Sequence, residues 1–271
     1  MGWKAAKGNK QADLKIISLG MGVQSTAVYL MSSLKYKLEK ADYAIFADPG
    51  AEHQETYKML EWLIKWQKAN NGIEILINKK RNLYKDIKEG YKENKNIRSI
   101  PAHTKDKGIV RRQCTQYYKI DPVIKTIREI YGLKKGQRMK PTEMWLGIST
   151  DEIQRMKECW KYNIDYFYPL IYHNMSRAEC MNFYKKFKFP IPVKSSCVFC
   201  PFHSDKFWRS LKIENGSAWN MSVEVDKIIR KHPKMKQEQY LSRHCKPLSE
   251  IDFSENQTDL FVEECEGYCG I

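Results

Sequence analysis

The feature that most constrains the fold is an alternation of short apolar runs with helical patterns, beginning at residue 14. LKIISLG (14–20) reads as a buried strand. A glycine turn follows, and Ala27, Leu30, Met31 and Leu34 share one face of a helix expected over about 25–39. ADYAIFADPG (41–50) reads as a second strand closed by Asp-Pro-Gly. Tyr57, Leu60, Leu63 and Ile64 recur at helical spacing within 53–69, and IEILIN (73–78) is a third strand. Parallel strands can be joined only through long crossovers, so this order implies a parallel sheet with right-handed connections.

Residues 79–113 are polar and irregular in pattern, with a short helix near 82–94. A helix is expected over about 116–131 and a buried strand at EMWLGIST (143–150). Helical patterns then dominate at 176–187, 204–214 and 217–231, and the last 40 residues have weak periodicity. The expected fold class is α/β, a doubly wound, mainly parallel, Rossmann-like sheet. The expected division is a nucleotide-binding domain over 1–172 and a helical, cysteine-bearing region over 173–271 whose tail packs on the body.

Composition sets outer bounds. With 42% apolar and 29% charged residues, the 271-residue chain has the balance of a folded globular protein. No run approaches the ~18 apolar residues of a membrane span. MGWKAAKGNKQADLK (1–15) is basic but lacks the apolar core of a signal peptide. The expectation is a cytoplasmic protein without a membrane partner.

Charge is uneven. Lys and Arg total 47 against 32 acids, a formal +15, yet residues 250–271 hold seven acids and no Lys or Arg. Residues 79–138 hold 18 basic and 6 acidic residues. A positive field of this kind suits a polyanion such as tRNA or DNA, and its plainer alternative is a solvated lysine-rich surface.

Two constellations carry chemistry. In SLGMGVQST (18–26), Gly20 and Gly22 remove side chains where an anion would approach backbone N–H groups. Ser25 offers a hydroxyl at the helix N-terminus. The turn is neither a Walker A loop nor the G-x-G-x-x-G fingerprint. Asp48 and Gly147 end other strands at the edge where ligands of such sheets bind, although Asp-Pro-Gly also gives Asp48 an ordinary turn role.

The second constellation is built from eight cysteines, at 114, 159, 180, 197, 200, 245, 265 and 269. In a reducing compartment they point to metal, cluster or redox use. Cys197-Val-Phe-Cys200 has chelating spacing, Cys265 and Cys269 form a second pair, and Cys114 follows Arg111 and Arg112. His203 extends the first pair to C-x-x-C-x-x-H, a zinc alternative. Cys159 and Cys180 read as buried thiols in helical segments. Arg111, Arg112 and Lys119 are candidates for offsetting charge on phosphates.

SLGMGVQST, FADPGAEHQETY, RRQCTQYYKIDP, LGISTDEIQRMK and KSSCVFCPFH occur in that order. Together they resemble the adenine-nucleotide α-hydrolase-like superfamily, specifically phosphoadenosine phosphosulfate (PAPS) reductase-like proteins of the PP-loop type, including phage-type members. The resemblance spans about residues 14–270. It implies that Gly20, Gly22, Gln24 and Ser25 hold phosphates, with Gln24 at the place of the family's aspartate and Met21 at that of a glycine. It places Asp48 by the ribose or adenine and Gly147 where the nucleotide approaches. Asp151, Glu152 and Arg155 match an Asp-Glu-x-x-Arg segment, with Asp151, Arg111 and Lys119 as the catalytic candidates. It also implies a [4Fe–4S] cluster on Cys114, Cys197 and Cys200, and leaves that set one ligand short. Acids beside a thiol oppose a free thiolate, so Cys269 in the acidic C-terminal segment is expected as the fourth ligand, with Cys265 as its substitute.

The activity expected from the resemblance is an ATP-dependent, adenylate-forming, sulfurtransferase-like reaction on a nucleic acid or nucleotide, with ATP bridged by Mg²⁺. The alternatives are an adenylyl-sulfate reductase and a non-catalytic nucleotide- or nucleic-acid-binding module. A homodimer is left open. Against the reductase stands the absence of a Lys-Arg-x-Glu-Cys-Gly-x-His tail; the chain ends in Cys-Gly-Ile.

Overall fold

A computed structural model of the chain describes residues 11–92, 100–106, 108–231 and 237–253. The described residues fall into two compact units, interleaved in sequence. The first draws on Met1–Ala47, Gln54–Asn78 and Asp121–Ser195, the second on Asp48–His53, Lys79–Ile120 and Ser196–Ile271.

The first unit is α/β and Rossmann-like. Its five strands are β1 (Leu14–Ser18), β2 (Tyr43–Ala47), β3 (Glu74–Asn78), β6 (Thr142–Leu146) and β7 (Ile164–Phe167), all parallel, in the order β3-β2-β1-β6-β7. Helices α1 (Val23–Ser33), α2 (Gln54–Ala69), α4 (Asp121–Ile130), α5 (Pro169–Tyr172) and α6 (Arg177–Phe187) flank it. Every residue of β6 is buried, as a central parallel strand requires. Tyr29, Leu30, Trp145 and Leu170 anchor the core around it. Each such side chain contributes about 1.5–3 kcal/mol by leaving water.

Several elements differ from their sequence-based bounds, each for a local reason. Helix α1 ends at Ser33, not near 39, because Ser32 turns its hydroxyl to Glu39 O at 2.6 Å and accepts from Ala41 N at 3.0 Å. Lys35 and Lys37 then adopt left-handed backbone, at φ 53° and 59°. The strand expected over 143–150 stops at Leu146, and Thr150–Arg155 is a 3₁₀ turn. Strand β7 has no counterpart in the expected elements. Just past it, Tyr168 holds the irregular segment that precedes the strand: its Oη accepts from Lys157 N at 2.9 Å and donates to Lys157 O at 2.7 Å.

The second unit holds α3 (Leu83–Lys92), the two-residue antiparallel strands β4 (His103–Thr104) and β5 (Gly108–Ile109), α7 (Asp205–Glu214) and α8 (Gly216–Arg230). Phe199, Trp208, Leu211, Val225, Ile229, Leu241 and Leu248 form its core. Asp226, 2% exposed, ties 237–253 to α8: its carboxylate accepts from Leu241 N at 2.9 Å and Leu248 N at 3.0 Å, and pairs with Arg230. The helix expected over 116–131 is two pieces. Gln116–Ile120 is a π turn, the wide form that recurs at functional sites, and α4 follows it. Among the described residues no helix is long and apolar enough to cross a membrane.

Candidate functional site

The glycine turn of the first unit leaves a helix N-terminus bare. Gly22 is the N-cap of α1, has extended backbone and supplies no capping side chain. The N–H groups of a helix's first turn have no intrahelical acceptor. No acidic residue belongs to that turn, so the helix itself supplies no negative charge at the positive end of its dipole. A Cβ built on Gly22 meets nothing within 4 Å, and one on Gly20 meets only Ser25 Oγ, at 3.6 Å. A side chain at Gly22 would therefore fill open space over the helix end.

Met21 stands at φ 60°, in the left-handed region that glycine adopts most readily. Its side chain is fully buried in the first unit's core, which offsets a backbone cost of about 1–2 kcal/mol. Gly147 is needed for space. Its Cβ would lie 2.5 Å from both Ser25 N and Ser25 Cα and 2.9 Å from Gln24 C. Gly147 thus admits the first turn of α1 against the end of β6, a packing role beyond the ligand approach that the resemblance implies.

Gln24 is 8% exposed and bonded at both ends of its amide. Its Oε1 accepts from Arg177 Nη1 at 3.3 Å and its Nε2 donates to Glu152 Oε2 at 3.3 Å. Glu152 in turn pairs with Arg155 at 2.6 Å. Asp151 accepts from Ser149 Oγ at 3.3 Å and from Arg177 N at the head of α6. Ser25 Oγ donates to Gly22 O at 3.3 Å. Gln24, Asp151, Glu152, Arg155 and Arg177 are therefore joined in one network, and Gly20, Gly22, Ser25 and Gly147 lie with them in the first unit.

Arg177 was absent from the sequence-based candidates. Its signal was available: Ser176-Arg-Ala-Glu179 is a capping box, and both of its reciprocal bonds form, at 3.2 Å and 2.6 Å. A helix start fixed this firmly holds the residue at its first position.

Asp48 belongs to the second unit. Its Oδ1 accepts from Gly50 N at 2.8 Å, and its Oδ2 lies 4.0 Å from Lys79 Nζ. The first bond is the turn role that Asp-Pro-Gly invites.

The second unit also holds a pocket of about 520 Å³, counted to its open mouth, lined by Cys114, Cys197, Cys200, Arg112 and Lys119. Phe199, 1% exposed, is part of its wall. The Cys197–Cys200 turn is fixed by Cys200 N to Cys197 O at 3.0 Å, and its entry by Val198 N to Ala51 O at 2.8 Å. The Lys119 ammonium, carried on the π turn, pairs at 2.9 Å with the buried Glu52 carboxylate. Arg111, the third catalytic candidate, is exposed and is not part of the pocket lining; its neighbour Arg112 is.

Three thiol side chains from two chain segments, facing one pocket with cationic neighbours, fit an iron–sulfur centre in donor chemistry. Among the described residues no group of three or more His, Cys, Asp or Glu side chains is placed to hold a metal ion. His203, the zinc alternative, lies beside the Cys197–Cys200 turn. Its ring stacks on Phe207 at 3.5 Å and its Nε2 lies 2.8 Å from Cys197 O. Cys265 and Cys269, the expected fourth-ligand candidates, lie outside the described residues. Cys180 is sealed in the first unit, and burial pushes its thiol up to about 12, which suits a packing role.

No family model matches this chain, and no curated protein matches it.

Proposed function

We propose that the chain is a PP-loop-type, ATP-dependent, adenylate-forming enzyme of the sulfurtransferase kind, acting on a nucleic acid or nucleotide. The observation that carries this reading is the uncapped N-terminus of α1, bare at Gly22 and walled by the Gln24–Arg177 pair. Such an end takes up phosphate oxygens through backbone N–H groups and the helix dipole. Arg177 adds a guanidinium held by a neutral amide, so most of its donors remain for an anion. Where the resembled family has an aspartate, Gln24 adds no negative charge beside a triphosphate.

In the first step an acceptor oxygen attacks the α-phosphorus of ATP. The α–β bridging P–O bond breaks, and pyrophosphate leaves with the negative charge. In the second step a donor at the oxidation level of sulfide attacks the adenylated carbon, the C–O bond breaks, and AMP leaves. No electrons are exchanged in either step. Mg²⁺ on the phosphates would lower the charge barrier to the first step. An iron–sulfur centre held by Cys114, Cys197 and Cys200, with Cys269 as fourth ligand or Cys265 in its place, would supply sulfide-binding chemistry. Arg112 would supply positive charge for a sulfur anion, and Lys119, its charge offset by the Glu52 carboxylate at 2.9 Å, would supply a held N–H donor.

The test is product analysis with α-labelled ATP, sulfide and bulk tRNA or DNA under anaerobic conditions. Expected products are AMP and pyrophosphate in equal amounts. Sulfite from an adenylyl sulfate, without ATP turnover, would establish the reductase instead.

A further inference from the structure

The first unit carries a second surface that the glycine turn does not use. It borders β7, the edge strand of the sheet, where residues 156–163 return toward the start of that strand. Because all five strands are parallel, the start of β7 lies at the opposite sheet edge from the glycine turn that follows β1. Trp160 is 65% exposed and Tyr162 71% exposed. These are the highest exposures among the described large apolar side chains of the first unit.

Both rings are met by cations. Lys161 Nζ lies 3.7 Å from the Trp160 ring centroid, and the Arg138 guanidinium lies 5.9 Å from that of Tyr162. Residues 134–140 approach the same place, since Asn163 Nδ2 donates to Met139 O at 2.7 Å. Lys134, Lys135, Arg138, Lys140 and Lys157 are exposed, and together with Lys161 none forms an ion pair among the described residues. Glu158 and Asp165 are close to these six cations in sequence, and Asp13 lies beside Lys140, the Asp13 N–H donating to Pro141 O at 2.8 Å.

We propose that this edge binds single-stranded nucleic acid, with bases stacking on Trp160 and Tyr162 and phosphates meeting Arg138, Lys161 and the neighbouring lysines. A base presents a flat, apolar face that suits an exposed ring, and its phosphate is the anion that the adjoining cations require. A duplex keeps its bases stacked within itself and offers no free face to these rings. A second copy of the chain is a poorer occupant. A two-fold contact through this patch would set like charges against each other. The surface deepens the proposed function by naming the acceptor class and a docking face away from the nucleotide turn, and it rests on that reading only for its biological use.

The test is fluorescence anisotropy with labelled oligothymidylate, an unstructured RNA of similar length, and the matching DNA duplex, across a salt series. Single strands are expected to bind more tightly than duplex. Trp160→Ala should weaken binding about tenfold, the scale of one lost base stack. Arg138→Gln and Lys161→Gln should each flatten the log–log salt dependence by about 0.7. Both aromatic side chains are largely exposed, so the alanine variants keep the fold, as circular dichroism should show. Equal binding by wild type and the Trp160→Ala/Tyr162→Ala double variant would overturn the proposal. So would a wild-type dimer in sedimentation that the double variant breaks, or anionic vesicles bound in preference to single strands. ATP titration of the same variants separates the two ideas. Unchanged ATP affinity with lost strand binding supports the surface, whereas lost ATP binding in a Gly22 variant bears on the glycine turn alone.

Discussion

The two candidate sites are built in opposite ways. The glycine turn sits between regular elements, and its content is mostly backbone: a bare helix end, an absent Cβ at Gly22 and a close approach at Gly147. The cysteine pocket is built by side chains on irregular segments, namely a C-x-x-C turn, a π turn and the loop at Pro49. A backbone site fails when atoms are added, because its use depends on space. A side-chain site fails when atoms are removed, because its use depends on donors. Substitutions that add to one and subtract from the other should therefore separate the two.

The largest effect is expected at Gly147. A methyl group there meets Ser25 N and Cα at 2.5 Å, backbone atoms that a rotamer change cannot move. Gly147→Ala should cost about 3 kcal/mol or more in denaturant unfolding and lose ATP binding with it. An alanine variant of native stability would break the view that this glycine is required by packing.

Next is Asp226 of the second unit, a buried carboxylate that holds two backbone N–H groups and Arg230. Asp226→Ala should cost about 3 kcal/mol, because it leaves a guanidinium and two amides without their acceptor. Iron reconstitution anaerobically should fall with it. Retained stability would mean that residues 237–253 are held by apolar contacts alone.

A smaller effect is expected from Gln24→Leu, which fills similar volume but releases Arg177 and Glu152. Stability should fall by about 1 kcal/mol, and ATP affinity should drop several-fold as the guanidinium loses its hold. Arg177→Gln with equal ATP affinity to wild type would remove Arg177 from the site.

The smallest effect is a titration. Burial alone would push the Asp205 carboxyl up, but Arg243 at 2.7 Å and His244 at 3.0 Å outweigh it and hold it below its ordinary value of 3.8. Its stabilisation is therefore complete above that unfolded value and is lost as pH falls through the lower folded value. Asp205→Asn should flatten the acid limb of the stability curve, which urea unfolding across a pH series would show.

The same contrast explains what was legible in the sequence. Strands β1 to β3 and helix α2 announce themselves by local periodicity, which is a local property. The glycine turn was readable for the same reason. Strand β7 was missed because IDYF is four residues long and follows a turn through Asn163, with nothing periodic before it. Arg177 was missed because its meaning comes from Gln24, 153 residues away. Cys114, Cys197 and Cys200 were legible as ligand types, but their common pocket depends on contacts across the second unit's broken segments. Lys119 was visible as a cation and its partner Glu52 was not, since burial decides that pairing.

The central claim, that the bare end of α1 holds ATP phosphates, is tested most directly by Gly22→Val in isothermal titration with ATP. Nothing lies within 4 Å of the added Cβ, so the variant should fold, at a cost of about 1 kcal/mol or less. The account predicts that its ATP affinity falls at least about tenfold, the loss of roughly 1.4 kcal/mol of phosphate contact. A folded Gly22→Val protein that binds ATP as tightly as wild type would contradict it.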